Sequence, residues 1–144
     1  MNQTGEKVLI FGGTFDPPHK GHLEMLEAAI AEIQPKKIII IPALLAASSE
    51  LTKKSPSASF NQRVEMLEIC IKESGLVDSE KEIEIEISSI EKSLPTPNYS
   101  LATIEKIKDK EENLVFLMGQ DQISKFDKWK KPLKILRCIE LLAV

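Results

Sequence analysis

Two histidines, His19 and His22, stand three residues apart in the stretch GGTFDPPHKGH, between the apolar run Val8 to Phe11 and the helix-like Leu23 to Leu26. They are the only histidines of the chain. At that spacing on a helix start both imidazoles can face one point near the helix's positive end, where backbone amides without intrahelical partners already favour an anion. Gly12 and Gly13 let the backbone approach a ligand with no Cβ in the way, Pro17 and Pro18 stiffen the turn, and Gly21 keeps the start of the helix narrow. Phosphate binding is the chemistry this set suits. Metal ligation is a second reading, but it needs more than an i, i+3 histidine pair, and Asp16 is the only carboxylate of the loop. Simple packing of the rings is a third. Two familiar phosphate loops are excluded, since neither GxxxxGK[ST] nor GxGxxG is formed here.

Flanking elements must position such a loop, and short apolar runs alternating with helix patterns predict an α/β fold, a parallel sheet with helices on both faces. Val8 to Phe11 reads as the first strand. Leu23, Leu26, Ile30 and Ile33 recur at helical spacing up to Gln34 and Pro35, after which Ile38 to Ile41 reads as a buried central strand. Pro42 to Phe60 is too long for an ordinary connection and reads as a mobile or substrate-covering loop, a plain surface excursion being the alternative. Val64, Met66, Leu67, Ile69, Cys70 and Ile71 crowd a second helix. The alternation of Glu82 to Ile87 predicts a strand with one wet face, its glutamates simply solvated. A third helix is expected over Leu101 to Lys110 with Leu101, Ile104 and Ile107 inward, then buried strands at Leu114 to Met118 and Ile139 to Val144.

With 144 residues and 42% apolar content, the chain has material for one core, so a single domain over 1–144 is expected. A net charge of -3 gives no general basic field, so nucleic acid is not expected as a partner and any anion must be held locally. Cys70 and Cys138 lack CxxC spacing and read as reduced packing thiols. MNQTGEK has no signal-peptide core and the longest apolar run is interrupted by Pro42, so a cytoplasmic protein without membrane attachment is expected.

Trp129, the only tryptophan, lies in the polar stretch KFDKWKKP, where a flat indole suits stacking on a flat ring; packing at an interface or lid is the alternative. Asp121 follows a buried strand and Gly119, where it could accept a ribose hydroxyl or simply form a turn. Lys125, Lys128, Lys130 and Lys131 form a local basic cluster, too small in an acidic chain to argue for single-stranded nucleic acid.

GGTFDPPHKGHL resembles the signature of the HxGH nucleotidyltransferase superfamily, in its nicotinate mononucleotide adenylyltransferase branch. RVEML, PNYSLATI and FLMGQDQISKFDKWKKPLKIL resemble that family's later motifs in the same order, so the resemblance covers nearly the whole chain. It implies a Rossmann-like sheet and adenylyl transfer from ATP to nicotinate mononucleotide, giving nicotinic acid adenine dinucleotide and pyrophosphate, with Mg2+ carried on ATP and no protein metal site. By the same resemblance His22 contacts the α-phosphate and His19 assists, while Gly12, Gly13, Phe15 and Asp121 border ATP. Thr14 and Trp129 serve the mononucleotide, its carboxylate meeting the backbone amides of Ser100 and Lys130. Arg63 matches a family arginine, with a helix-surface charge as the alternative.

The sequence also departs from that pattern. LLAASSELTKK stands where relatives carry a proline-histidine-lysine segment, leaving Lys53 and Lys54 unassigned. Ala102 replaces an acidic residue that would hold the Ser100 turn. Relatives continue past IELLAV to a further strand and an arginine-bearing, Ser/Thr-rich segment, so the family's C-terminal part is expected to be absent from this chain. Phosphopantetheine adenylyltransferase, which shares the chemistry but usually shows threonine at the position of His19, is the runner-up, with a nucleotide-binding module without turnover and an interaction protein behind it.

Overall fold

The computed structural model describes residues 6–44, 57–76, 82–94 and 100–144. Five strands form one sheet: β1 (Val8–Gly13), β2 (Lys37–Pro42), β3 (Glu84–Ile87), β4 (Leu114–Met118) and β5 (Glu140–Ala143). Their order is β3-β2-β1-β4-β5 and every pairing is parallel, with Ile10 opposite both Ile39 and Phe116. The helices α1 (Lys20–Ile33), α2 (Phe60–Ser74), α3 (Ser100–Lys108), α4 (Gln120–Ile123) and α5 (Pro132–Cys138) lie between the strands in sequence.

Side chains of successive strand residues point to opposite faces, so each central strand feeds two cores. Leu9, Phe11, Ile38, Ile40, Val115 and Leu117 pack with Leu26 and Ile30 of α1 and Leu67 and Ile71 of α2. On the other face Val8, Ile10, Ile39, Ile41 and Phe116 pack with Leu101, Ile104 and Ile107 of α3 and Ile135 of α5. The apolar runs at Val8, Ile38 and Leu114 are unbroken because both their faces are covered. Burying each such side chain contributes about 1.5–3 kcal/mol. Truncating Ile104, which is fully buried, would cost about 2–5 kcal/mol.

Strand order reverses between β1 and β4. In sheets of this type the crevice outside the carboxyl ends of the strands at that reversal receives ligands, because the connections there diverge to opposite faces. The histidine turn leaves β1 and the Gly119 to Trp129 segment leaves β4, so both border that crevice.

Several elements differ from the sequence reading. The second helix runs back to Phe60, capped by Ser59: the Gln62 amide donates to Ser59 Oγ at 3.1 Å, and the Ser59 amide to Gln62 Oε1 at 2.9 Å. It ends at Gly75, whose φ of 81° is the left-handed conformation that favours glycine. Ile69 points away from the core and is exposed. Glu84 and Glu86 are not merely solvated, because Lys37 Nζ stands 3.4 Å and 3.2 Å from their carboxylates and 2.7 Å from that of Glu111. These ion pairs hold the edge strand β3 to β2 and to the turn before β4, and they raise the Lys37 pKa, the Glu111 hydrogen bond being the largest cause. The expected covering loop at 42–60 lies mostly outside the described residues, as do Lys53 and Lys54. Cys70 and Cys138 are free thiols. Among the described residues no helix is long and apolar enough to cross a membrane.

Candidate active site

The turn from β1 to α1 is built around its own aromatic rings. Phe15 adopts a left-handed φ of 53°, which turns its ring inward, edge-on to Phe11 at 5.4 Å and to His22 at 4.8 Å. Gly13 makes this possible, since a Cβ there would come within 3.1 Å of the Phe15 ring. A Cβ on Gly12 would meet only ordinary contacts, 3.8 Å from the Ile41 carbonyl and 3.9 Å from Phe116. Asp16 precedes a cis peptide bond to Pro17 and accepts from the backbone amides of Ser57 and Ala58. Its carboxylate is thus engaged in tying this turn to the start of α2. Among the described residues no three His, Cys, Asp or Glu side chains are grouped to hold a metal ion.

His19 is the N-cap of α1, and the two imidazoles cap one another's backbone. The Gly21 amide donates to His19 Nδ1 at 3.0 Å, and the His19 amide donates to His22 Nδ1 at 3.0 Å. With both Nδ1 atoms accepting, each ring carries a proton on Nε2. The rings stack, centroids 3.8 Å apart and 23° from parallel. His22 is pushed down to about 4, first by burial and then by the charge of His19. At neutral pH it is therefore a neutral N–H donor, not an imidazolium. Behind it, Phe11, Phe15, Leu23, Leu26 and Leu67 line an apolar cavity of about 10 Å3, at the limit for one water. His19 and His22 themselves line it together with these apolar side chains, whose packing accounts for the desolvation of the His22 ring.

Across the sheet reversal, Asp121 occupies the first turn of α4. Its carboxylate folds back over Gly119, where a Cβ would lie 2.7 Å from Asp121 Oδ1. Trp129 follows the short 3-10 turn Phe126–Lys128 and is half-buried. Its indole meets Phe116 edge-on at 5.9 Å and Phe126 at 5.2 Å, tilted by 49°. Ser100 is the first residue of α3, where amides lack intrahelical acceptors. Lys130 is exposed beside Trp129. The structure brings His19 onto His22 and sets both, with Gly12, Gly13, Thr14 and Phe15, on one side of the reversal, with Asp121, Trp129 and Lys130 on the other.

Two residues were not singled out for what they do. Arg63, only 2% exposed, donates from Nη1 to the carbonyls of Thr14 at 2.8 Å and Ala43 at 2.7 Å, and from Nε to that of Ala58 at 3.3 Å. It is not a helix-surface charge. Its place in the stripe Arg63, Leu67, Ile71, at i, i+4 and i+8, was the available signal, since those are the buried positions of α2. Glu91, in the 3-10 turn Ile90–Ser93, accepts from the Leu44 amide at 3.2 Å and from Thr103 Oγ1 at 3.1 Å. It thereby ties the first turn of α3 to the exit of β2. Nothing in its local sequence pattern marks it.

A doubly wound parallel sheet with an HxGH turn at its reversal point defines the Rossmann-like nucleotidyltransferase class. The chain belongs to the Cytidylyltransferase-like family, whose match spans residues 10–144. It is 31% identical to a Methylacidiphilum infernorum protein over 98% of this chain and 65% of that one, and 32% identical to one from Rhodopirellula baltica over 99% and 62%. Both carry the designation nicotinate-nucleotide adenylyltransferase. The chain spans just under two thirds of the length of these curated relatives. A Plasmodium falciparum nicotinic acid mononucleotide adenylyltransferase complexed with NaAD shares the fold, with a TM-score of 0.72 at 20% identity, over 97% of this chain and 76% of that one.

Proposed function

We propose that this chain works in adenylyl transfer from ATP to nicotinate mononucleotide, forming nicotinic acid adenine dinucleotide and pyrophosphate in NAD biosynthesis. A 5′-phosphate oxygen attacks the α-phosphorus; the new P–O bond forms as the bond to pyrophosphate breaks, and the pyrophosphate takes the electron pair. The nucleophile needs no base, because a phosphate monoester with a second pKa of about 6 is already largely a dianion at neutral pH. The protein's task is alignment and stabilisation of charge on the phosphoryl oxygens and the leaving group.

The observation that carries this reading is the stacked, mutually capped His19 and His22, locked with Nδ1 inward at the N-terminus of α1. Two Nε2–H donors preorganised at a helix start suit a triphosphate, because they need not reorient as charge develops. Gly12, Gly13 and the Phe15 backbone border the nucleotide. Asp121 accepts a ribose hydroxyl and Thr14 borders the mononucleotide. Trp129 stacks on the pyridine ring, whose carboxylate meets the amides of Ser100 and Lys130. Mg2+ arrives on the ATP phosphates, keeping most of its waters. The names of the relatives support nicotinate mononucleotide as acceptor, and a cytoplasmic location fits these substrates.

Pyrophosphate release assayed with ATP and nicotinate mononucleotide, in parallel with phosphopantetheine, tests this. Release with the first acceptor alone supports it. Release only with phosphopantetheine selects the runner-up, and nucleotide binding without release selects a binding module.

A further inference from the structure

Arg63 and Glu91 hold opposite ends of a single peptide bond. Arg63 Nη1 donates to the carbonyl oxygen of Ala43 at 2.7 Å, and the amide of the next residue, Leu44, donates to Glu91 Oε1 at 3.2 Å. The two side chains reach it from different faces: α2 packs on the core of Leu9 and Phe11, whereas Ile90, beside Glu91, packs on that of Val8 and Ile10. Both charges are buried, Arg63 at 2% and Glu91 at 9% exposure. Buried charge is costly unless fully hydrogen-bonded, so each arrangement is exacting in geometry. A cation at the oxygen and an anion at the N–H polarise the same amide in the same sense, so each hydrogen bond strengthens the other.

Each end also reaches further. Arg63 Nη1 holds the Thr14 carbonyl at 2.8 Å, one residue before the left-handed Phe15 that packs against His22. Glu91 Oε2 accepts from Thr103 Oγ1 in the first turn of α3, which begins with Ser100. The exit of β2 is itself fixed to β1, the Ala43 amide donating to the Gly13 carbonyl at 2.8 Å. A continuous set of hydrogen bonds thus runs from the histidine turn to the start of α3 through one peptide.

We propose that Arg63 and Glu91 are positioning residues acting as one device, which sets the histidine turn in register with the first turn of α3. The proposal rests on the functional reading above only in that those two turns receive the phosphates and the nicotinate carboxylate. Loosening either end displaces the other and weakens the mononucleotide, which must meet both turns at once.

The test uses 15N-labelled protein, with Glu91→Gln, Arg63→Lys and, as a control for general loosening, Ile107→Val in the core beneath α3. We expect Glu91→Gln to shift the Leu44 amide and also, across the sheet, the Phe15 amide and the His22 ring signals, all of which Ile107→Val leaves in place. Affinity for nicotinate mononucleotide, read by titration calorimetry, falls about tenfold in Glu91→Gln. The double variant loses less than the product of the two single losses, the coupling expected of residues in one network. If Glu91→Gln does not fold, Thr103→Val removes one hydroxyl at nearly constant volume and is read the same way. Phe15 and His22 signals unmoved in a folded variant, or single losses that simply multiply, overturn the device. Signals that move together in a protein that does not bind nicotinate mononucleotide support the device and overturn the functional reading instead.

Discussion

The imidazole of His19 lies directly over Gly21: a Cβ there would come within 2.9 Å of Cε1 and 3.0 Å of Nδ1. The missing side chain is what lets the ring fold back to accept the Gly21 amide and stack on His22. Gly21→Ala therefore forces His19 off its partner. Alanine gains up to about 1 kcal/mol of helix propensity at this position, offset by about 1 kcal/mol of lost capping. Thermal melts should move by only a few degrees while turnover falls about 10- to 100-fold. A variant of normal activity would show that the mutual cap does not set the donors.

Acidification should loosen the same turn. The folded-state pKa of His22 is lowered from 6.5 to about 4, so between those values the unfolded chain binds the extra proton. Stability thus rises with pH across that window and is lost as pH falls from about 6.5 towards 4. Because the ring is only half-buried, the effect is discounted for screening to about 1 kcal/mol. Urea unfolding at pH 7 and pH 4.5, compared with His22→Asn, isolates it from the carboxylates. Asparagine keeps an acceptor for the His19 amide but does not titrate, so the two proteins should converge at the lower pH. Parallel curves would contradict a buried neutral His22.

The central sheet was legible because β1, β2 and β4 are buried on both faces and leave unbroken apolar runs, and because α1 shows its inward stripe clearly. Helix α5 was not. Only Ile135 is buried there, while Leu133 and Leu136 are 71% and 47% exposed, so the seven-residue helix has no apolar stripe. The histidine pair could be read as a shared site from its spacing, but its mutual capping depends on ring rotamers that spacing does not specify. Arg63 and Glu91 stayed hidden for a related reason: each has a backbone partner far along the chain, 20 and 47 residues away, and backbone donors and acceptors leave no mark in side-chain patterns.

Lys37 separates stability from activity. Its ammonium meets Glu84, Glu86 and Glu111 on the first residue of β2, at the opposite end of the sheet from the histidines. Lys37→Met keeps the aliphatic stem but leaves three carboxylates together, of which Glu111 is only 20% exposed. The expected loss is about 1–3 kcal/mol, between that of an exposed pair and that of a buried one. Affinity for nucleotides should stay within twofold. Denaturant midpoints and calorimetric binding on one preparation check both halves, and a large loss of affinity with little loss of stability would contradict this placement.

Under the proposed function Trp129, the only indole in the chain, would report on the mononucleotide directly. Phe116 and Phe126 brace it from within the core at 5.9 Å and 5.2 Å, so a ring docking on it should find a half-buried, oriented surface. A pyridinium stacked there quenches its fluorescence. Nicotinate and nicotinamide mononucleotides offer nearly the same ring, so any difference in their affinities isolates the carboxylate. A carboxylate accepting the Ser100 and Lys130 amides makes charge-assisted bonds about twice as strong as those of a carboxamide. We therefore expect the amide to quench at saturation to a similar depth but to bind about tenfold more weakly or worse, a gap of about 1.4 kcal/mol or more. Pro132 follows the lysine pair and starts α5 at once, which limits how far Lys130 can move to compensate. Equal affinities would remove the amides from the site. Loss of quenching in Phe126→Ala with affinity unchanged would instead leave the carboxylate contacts standing and show that the indole lies beside the ring and not against its face.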